Sequence, residues 1–254
     1  MNLMDKICSN CVMDTTDSNI VFDNNGICDH CNDFYNNIKP LWHTDHRGKK
    51  LINSIISKIK SSGKDKEFDS IIGMSGGADS SYLLHILVKD YGLRPLVFHV
   101  DGGWNSDVAV NNINSMIDKL NLDLYTEVIN WEEMRAFQLA YIRSGLPNID
   151  TPQDHAFVSS LYKFANKHRI KYIINGGNIS TEVVRNPKEW IYYCTDMRQI
   201  NIVKNKFCEN PLKTYPFSGV LSHKFYLRYI KGIQVVKPLN YIPFNKKEAM
   251  KFLE

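Results

Sequence analysis

Short apolar runs of strand length recur along the chain and predict the strands of a sheet. They cover residues 70–74, 96–100, 124–129, 171–175 and 233–236. Helical spacing of apolar residues fills the segments between the first four runs, as at Ala109, Ile113 and Ile117. Because alternating strands and helices form parallel sheets with right-handed crossovers, we predict a doubly wound α/β fold. The strand ends near residues 75, 101 and 176 should then lie along one carboxyl edge of the sheet.

Segments outside this alternation predict how the chain is divided. Residues 41–66 carry a helical stripe that includes Ile55 and Ile59, so we expect a connector helix there. Residues 1–40 then form a small N-terminal module, and residues 67–254 form the main domain.

The last third of the chain is less regular. From Asn186 to Phe217 the pattern is weak, which suits a loop or excursion that covers a substrate. Asn245 and Glu248 form a capping pattern for a last helix. That helix has hardly begun when the sequence stops, so we expect a truncated or processed C-terminus.

Composition bounds the class of protein. With 254 residues, of which 43% are hydrophobic, the chain can bury a substantial core. No stretch approaches the ~18 consecutive apolar residues of a transmembrane helix, and the N-terminus lacks the apolar core of a signal peptide. The formal net charge of +4 is mild, and the basic residues are scattered. We therefore predict a cytoplasmic enzyme with no membrane partner; an anionic substrate is permitted, and a nucleic acid is not expected.

Two Cys-x-x-Cys pairs near the N-terminus form a strong metal signal. Cys8 and Cys11 make the first pair, and Cys28 and Cys31 make the second after a gap of sixteen residues. Turn residues between the pairs allow two knuckles to face each other around one tetrahedral Zn²⁺ ion. Since thiols stay reduced in the cytoplasm, we favour zinc over a disulfide framework, and an iron–sulfur cluster is the main remaining alternative. With four protein ligands, the zinc would be structural rather than catalytic.

The first apolar run ends in a loop that opens at once into a helix. Residues Ser75–Ser80 of this loop read Ser-Gly-Gly-Ala-Asp-Ser. Glycines let the backbone approach phosphates without a Cβ, while serines and the helix N-terminus supply donors and a positive dipole end. Neither the lysine of the usual triphosphate loop nor the Gly-x-Gly-x-x-Gly spacing is present, which disfavours γ-phosphate transfer. We predict a pyrophosphate-binding loop; an ordinary glycine turn is the alternative.

This loop resembles the pyrophosphate loop of the ATP pyrophosphatases, which include GMP, asparagine and argininosuccinate synthetases and several tRNA-thiolating enzymes. The resemblance implies a sheet of the adenine nucleotide alpha hydrolase type. It also implies ATP and Mg²⁺ as cofactors, with cleavage of ATP between its α and β phosphates. The nucleotide-binding residues that it implies are Ser75, Gly76, Gly77, Asp79, Ser80, Val100, Asp101, Gly176 and Gly177. Among these, Val100 and Asp101 would hold the adenine and the ribose.

Three acidic residues are the catalytic candidates. Asp79 and Asp154 would place Mg²⁺, and the resemblance implies that Glu182 faces the reacting centre. Structural alternatives remain open for several positions. Asp154 lies in a first helical turn, where a carboxylate offsets the helix dipole. Asp101 would instead cap the next helix, and Gly176–Gly177 would be a plain turn.

Three further segments resemble the N-acetyl sugar amidotransferases of surface-polysaccharide biosynthesis, which includes lipopolysaccharide O-antigen. They are residues 8–15, 99–106 and 123–133, so the resemblance spans nearly the whole chain. Family members run on past this C-terminus. The resemblance implies that an acetamido group on a nucleotide-linked amino sugar becomes an acetamidino group, with ATP activating the amide oxygen and ammonia expelling AMP. The rival interpretation is tRNA thiolation, since some thiolating enzymes also join a cysteine-rich module to this loop.

The source of ammonia is predicted from what the sequence lacks. An N-terminal-nucleophile glutaminase needs a cysteine after Met1, and residue 2 is Asn. Cys194 and Cys208 have no glycine elbow and form no Cys-x-x-Cys pair, so neither is predicted to attack glutamine. We therefore expect a separate glutaminase subunit to supply ammonia near Gly176 and Glu182.

Overall fold

A five-stranded parallel sheet in the order β3-β2-β1-β4-β5 forms the centre of the molecule. The computed structural model describes residues 6–182 and 193–253. The strands are β1 Ser70–Gly73, β2 Pro95–Asp101, β3 Leu124–Val128, β4 Tyr172–Ile174 and β5 Gln234–Val236. Every neighbouring pair is parallel, which confirms the predicted α/β sheet and its five predicted strands.

Helices on both faces of the sheet connect the strands. They are α1 Asp29–Asp33, α2 His46–Ser62, α3 Ala78–Lys89, α4 Asp107–Leu120, α5 Trp131–Ser144, α6 Thr151–Lys167, α7 Ile179–Glu182, α8 Met197–Phe207 and α9 Lys246–Leu253. Phe34–Ile38 and Leu221–Ile230 are π-helical, and Lys39–Leu41 and Pro238–Asn240 are 3₁₀ turns. In the part of the chain that the structure describes, none of these helices combines the length and apolar character needed to cross a membrane.

Two hydrophobic layers, one on each face of the sheet, hold the fold together. Side chains alternate along a strand, so Ile71 and Ile173 pack in one layer while Ile72 and Ile174 pack in the other. The first layer joins the sheet to α5, α6 and α8, and the second joins it to α2, α3 and α4. Full burial of one such side chain contributes about 1.5–3 kcal/mol.

The strand order reverses at β1, and this reversal fixes where a ligand can bind. The chain runs outward from β1 through β2 to β3, then crosses back to β4 on the other side of β1. In doubly wound sheets the crevice at such a reversal, outside the carboxyl ends of the strands, is the ligand site. The ends of β2, β1 and β4 are neighbours along this edge, as the sequence predicts.

The predicted connector helix is present as α2 and packs against the sheet. Asp45 caps it by accepting hydrogen bonds from the N–H groups of Arg47 and Gly48. Ile52 and Ile56 are buried in the second hydrophobic layer, so the helix shares a core with the main domain. The division into residues 1–40, 41–66 and 67–254 stays a prediction.

Part of the segment with a weak pattern is regular. Asn186 lies outside the described residues, but Met197–Phe207 form α8 in place of the expected loop. Only Ile200 and Val203 are buried on this helix, a stripe too narrow to stand out among polar neighbours. The last helix begins as its capping pattern predicts, since Asn245 accepts hydrogen bonds from the N–H groups at 247 and 248.

Candidate nucleotide site and metal centre

The Ser75–Ser80 loop joins β1 to the N-terminus of α3 at the strand reversal. Gly77 is the N-cap of α3 and has an extended backbone, and no side chain of the described residues caps this helix end. The first N–H groups of α3 therefore remain available to an anion. The Ser80 hydroxyl donates to the Gly77 carbonyl at 3.1 Å and lies 3.4 Å from the Ser75 hydroxyl. The loop thus gathers backbone and hydroxyl donors, as phosphate binding requires.

The two glycines of this loop have different roles. Gly76 has φ of +74°, and a Cβ there would lie 2.4 Å from the carbonyl oxygen of Ala109 on α4. Asn112, also on α4, donates to the Gly76 carbonyl at 3.1 Å. A Cβ on Gly77 would meet only the Ser75 hydroxyl oxygen, at 3.4 Å. Gly76 is therefore required by the fold itself, whereas Gly77 keeps the approach to the helix end open.

Asp79 points from α3 across the crevice towards the end of β4. One carboxylate oxygen, Oδ2, lies 3.3 Å from the Asn178 amide nitrogen and 3.4 Å from the Thr181 hydroxyl. The other, Oδ1, is buried and accepts no hydrogen bond from the described residues. The Lys246 ammonium lies 3.6 Å from Oδ1. A buried carboxylate oxygen without a donor fits a cation such as Mg²⁺, which prefers oxygen ligands.

The turn after β4 forms the opposite wall of the crevice. A Cβ on Gly176 would lie 3.4 Å from the Ser80 backbone, so the two loops touch. Asn178 is 3% exposed, and its side-chain oxygen accepts from the Thr181 N–H at 3.0 Å. Its amide group therefore faces Asp79 and fixes the position of the carboxylate. The predicted loop and the predicted glycine turn are brought together as expected.

A second group of polar side chains surrounds Gly177. A Cβ at Gly177 would lie 2.8 Å from the Asn175 side-chain oxygen, 2.9 Å from Glu182 Oε2 and 3.2 Å from Lys237 Nζ. A carboxylate and an ammonium thus converge over one glycine beside the crevice. Glu182 is therefore near the site, as its predicted catalytic role requires.

Sequence reasoning missed two residues of this crevice, Lys237 and Lys246, and it assigned no role to Asn178. Lys237 directly follows β5 and Lys246 is the first residue of α9, so both enter from the far end of the chain. A usable signal existed for Lys237, because a polar residue just after a predicted strand lies at the carboxyl edge. No local pattern marks Lys246, which reaches Asp79 only through the folded position of α9.

The end of β2 is held by its own hydrogen bonds. Asp101 accepts from the Gly103 N–H at 2.8 Å and from the Asn105 side chain at 2.9 Å. Ser106, rather than Asp101, caps α4, so the helix-cap alternative for Asp101 is wrong. Val100 is buried next to it. Binding of adenine and ribose by Val100 and Asp101 stays a prediction.

Asp154 lies in the first turn of α6. No hydrogen bond or ion pair among the described residues joins it to Asp79. Partial desolvation, followed by repulsion from Asp150, raises the pKa of the Asp154 carboxyl. A magnesium site shared by Asp79 and Asp154 stays a prediction.

The four N-terminal cysteines converge on one point. Their sulfur atoms all lie within 4.8 Å of one another, and the Cys11 and Cys28 sulfurs are 3.6 Å apart. Two turns, each closed by an isolated bridge, bring the pairs together: Ile7 pairs with Asp14, and Phe22 pairs with Cys28. This packing matches the size of a tetrahedral thiolate site with metal–sulfur bonds of about 2.3 Å. The cluster can therefore hold one metal ion.

Electrostatics in the cysteine cluster also fit a cation. Burial opposes ionisation of Cys8, but backbone N–H groups of Asn10 and Cys28 point at its sulfur and lower its pKa overall. Burial and the neighbouring thiols raise the pKa of Cys28. Without a cation, only part of this set can be thiolate, because like charges at this separation repel. A bound metal removes that conflict.

Comparison with known proteins gives structural likeness but no family assignment. No family model matches the chain, and no curated protein matches it. An ammonia-dependent NAD synthetase from Campylobacter jejuni is similar over 52% of this chain and 58% of its own, with 16% identity and a TM-score of 0.38. An NMN synthetase from Francisella tularensis is similar over 82% and 93%, with 17% identity and a TM-score of 0.38.

A U34-tRNA thiolase from Methanococcus maripaludis, with its [4Fe-4S] cluster, is similar over 98% of this chain and 71% of its own, with 13% identity and a TM-score of 0.43. This chain spans 58% of the length of the Campylobacter jejuni NAD synthetase, which is less than two thirds. What the fold and site define is a doubly wound parallel α/β protein with an N-terminal four-cysteine cluster.

Proposed function

We propose that the chain is an ATP-dependent N-acetyl sugar amidotransferase that releases AMP and pyrophosphate. The observation that carries the proposal is the Ser75–Ser80 loop, set at the strand reversal at β1 beside a buried Asp79 oxygen that accepts no hydrogen bond from the described residues. A loop of this kind, with an open helix N-terminus, suits the pyrophosphate of ATP. The segments 8–15, 99–106 and 123–133, which resemble sugar amidotransferases, support the specific reaction.

Each group in the crevice has a proposed role in binding ATP. Backbone N–H groups of the Ser75–Ser80 loop and the hydroxyls of its two serines hold the β and γ phosphates. Asp79 would hold Mg²⁺, which supplies positive charge for the departing pyrophosphate. Lys246 and Lys237 add positive charge from the other side, and this offsets the absence of a lysine within the loop.

The proposed reaction with ATP converts the acetamido group, a poor electrophile, into an adenylylated form that ammonia can attack. The oxygen of the acetamido group attacks the α-phosphorus of ATP, and the bond to pyrophosphate breaks. Ammonia then adds to the activated carbon, and AMP leaves with the former amide oxygen. The product is an acetamidinium group, and one proton from ammonia is released along the way. Glu182, beside Gly177, is the proposed acceptor of that proton.

Ammonia is proposed to come from a separate glutaminase subunit. Burial raises the pKa of both the Cys194 and the Cys208 thiols, so neither is an activated thiolate at neutral pH. The same finding disfavours these two residues as sulfur carriers in tRNA thiolation. Thiolation would instead be supported if the four N-terminal cysteines held an iron–sulfur cluster.

An isotope experiment tests the proposal. A panel of nucleotide-linked diacetamido sugars, labelled with ¹⁸O in the acetamido groups, is incubated with ATP, Mg²⁺ and high ammonium. We expect ¹⁸O to appear in AMP, detected by mass spectrometry, with one substrate of the panel. With glutamine in place of ammonium, the isolated chain should be inactive until a glutaminase is added. AMP formed without ¹⁸O would contradict activation of the amide oxygen.

A further inference from the structure

A second cleft lies beside the edge strand β5. It is enclosed by α6, the π-helix Leu221–Ile230 and β5, and it has a volume of about 680 Å³. Another cleft lies against Gly76 and Gly77 of the Ser75–Ser80 loop. Among the described residues, none lines both clefts. Its size falls within the range of small-molecule sites, about 300–1,000 Å³.

His223 is an unsatisfied polar group in the wall of this cleft. Its side chain is 8% exposed, and neither ring nitrogen has a hydrogen-bond partner among the described residues. His155, another buried histidine, shows the contrast. Its Nδ1 donates to the Cys194 carbonyl, and its Nε2 accepts from the Ser218 N–H at 3.1 Å. Because buried polar groups are normally paired, the two nitrogens of His223 indicate that a ligand supplies the partners.

The His223 ring is neutral at pH 7. Burial, and then the nearby His155 and Lys163, lower its pKa to about 4. The ring packs edge-on against Tyr162, with centroids 4.6 Å apart, so its orientation is fixed. A neutral imidazole offers one donor and one acceptor, which suits a polar but uncharged part of a ligand.

Positive charge lies in the same cleft. Lys224 and Arg228 line it, and neither makes an ion pair with any residue that the structure describes. Thr195 and Gln234 add neutral hydrogen-bonding groups, and no described carboxylate lines the cleft. Two cations that make no ion pair among the described residues, beside neutral polar groups, fit an oxyanion, since guanidinium and ammonium groups bind phosphate well.

We propose that this cleft binds a small phosphorylated molecule, with its phosphate on Lys224 and Arg228 and its neutral polar part on His223. The site is separate from the proposed ATP site, so it does not rest on the proposed reaction. The same phosphate chemistry is offered by inorganic phosphate, by a sugar phosphate and by a nucleoside monophosphate. The experiment therefore uses all three as separate ligands.

Calorimetric titration of the full chain tests the site. The ATP site is first saturated with Mg²⁺ and a non-hydrolysable ATP analogue, and inorganic phosphate, glucose 1-phosphate or uridine monophosphate is then added. We expect saturable binding of at least one ligand, weakened at least tenfold in the double variant Lys224→Ala/Arg228→Ala. Lys231→Ala, which removes a cation outside the cleft just after the same helix, should bind like the wild type. The ligand that binds most tightly identifies the source of the phosphate.

His223→Phe separates a binding role from a structural one. The substitution keeps an aromatic ring but removes both nitrogens, so no hydrogen bond among the described residues is lost. We expect weaker binding of the organic phosphates and an unfolding midpoint that does not fall. The proposal is overturned if the wild type binds none of the three ligands, or if the double variant binds as tightly as the wild type. A lower midpoint with unchanged binding would equally overturn the role of His223.

Discussion

The cysteine cluster and the nucleotide crevice both assemble groups for a charged ligand, but they do so over very different lengths of chain. The cluster uses residues 8–31, and local turns hold it, for example the Asp23 carboxylate that accepts from the N–H groups at 25 and 27. The crevice joins Asp79 to Asn178 and Lys246, across most of the main domain. The first site therefore depends on its ligand and its turns, and the second depends on the whole sheet.

The largest effect should follow from Cys28→Ser, which removes a fully buried ligand of the cluster. Because structural zinc contributes about 10–16 kcal/mol in small zinc-binding peptides, we expect loss of the metal and unfolding of the N-terminal module. The sheet should persist, since its hydrophobic layers are separate from the cluster. Metal analysis and hydrogen exchange measure the two effects. Cys208→Ser is the control and should keep the metal; a full metal content in Cys28→Ser would refute the ligand assignment.

Gly76→Ala should have the next largest effect. The positive φ costs about 1–3 kcal/mol for a residue with a Cβ, and the clash with the Ala109 carbonyl adds to it. We expect lower stability in urea and no measurable binding of an ATP analogue. Gly77→Ala is the matched control, because its Cβ meets only the Ser75 hydroxyl; its stability should stay close to wild type. Equal loss of stability in both variants would contradict the division of roles.

Features that depend on local sequence could be predicted, and features that depend on contacts between distant segments could not. Both the Cys-x-x-Cys pairs and the Ser75–Ser80 loop are local patterns, so their chemistry can be inferred from spacing alone. The strand ends could be placed on one edge because parallel topology follows from alternation. Lys246 could not be found, because its contact with Asp79 depends on how α9 packs on α3. Asn178 was given no role, because an amide four residues after the end of β4 has no distinctive pattern.

Asp79→Asn should slow turnover more than it weakens ATP binding. In the proposed mechanism the carboxylate would hold a cation that acts on charge developing in the transition state, and loss of such a group typically costs about 100-fold in rate. Pre-steady-state kinetics and equilibrium binding measure the two quantities separately. Asp90→Asn, at the other end of α3, is the control and should behave like the wild type. A loss of affinity as large as the loss of rate would assign Asp79 to ground-state binding.

Lys246→Ala should have the smallest effect of the series. The side chain is 55% exposed, so its attraction to phosphate is screened and is worth about 0.5–1 kcal/mol, or roughly a threefold weaker affinity for ATP. Lys247→Ala is the matched control, because Lys247 is the adjacent exposed residue of the same helix. Titration at two salt concentrations measures the effect, which should shrink at high salt. Identical affinities of the two variants would remove Lys246 from the site.

The products of ATP cleavage test the central claim most directly. Phosphorus NMR of a reaction with ATP, Mg²⁺, ammonium and an accepted sugar substrate distinguishes the two ways of breaking ATP. The account predicts AMP and pyrophosphate in equal amounts, because in the proposed mechanism the Ser75–Ser80 loop would hold the β and γ phosphates while the α-phosphorus reacts. Formation of ADP and inorganic phosphate would contradict it.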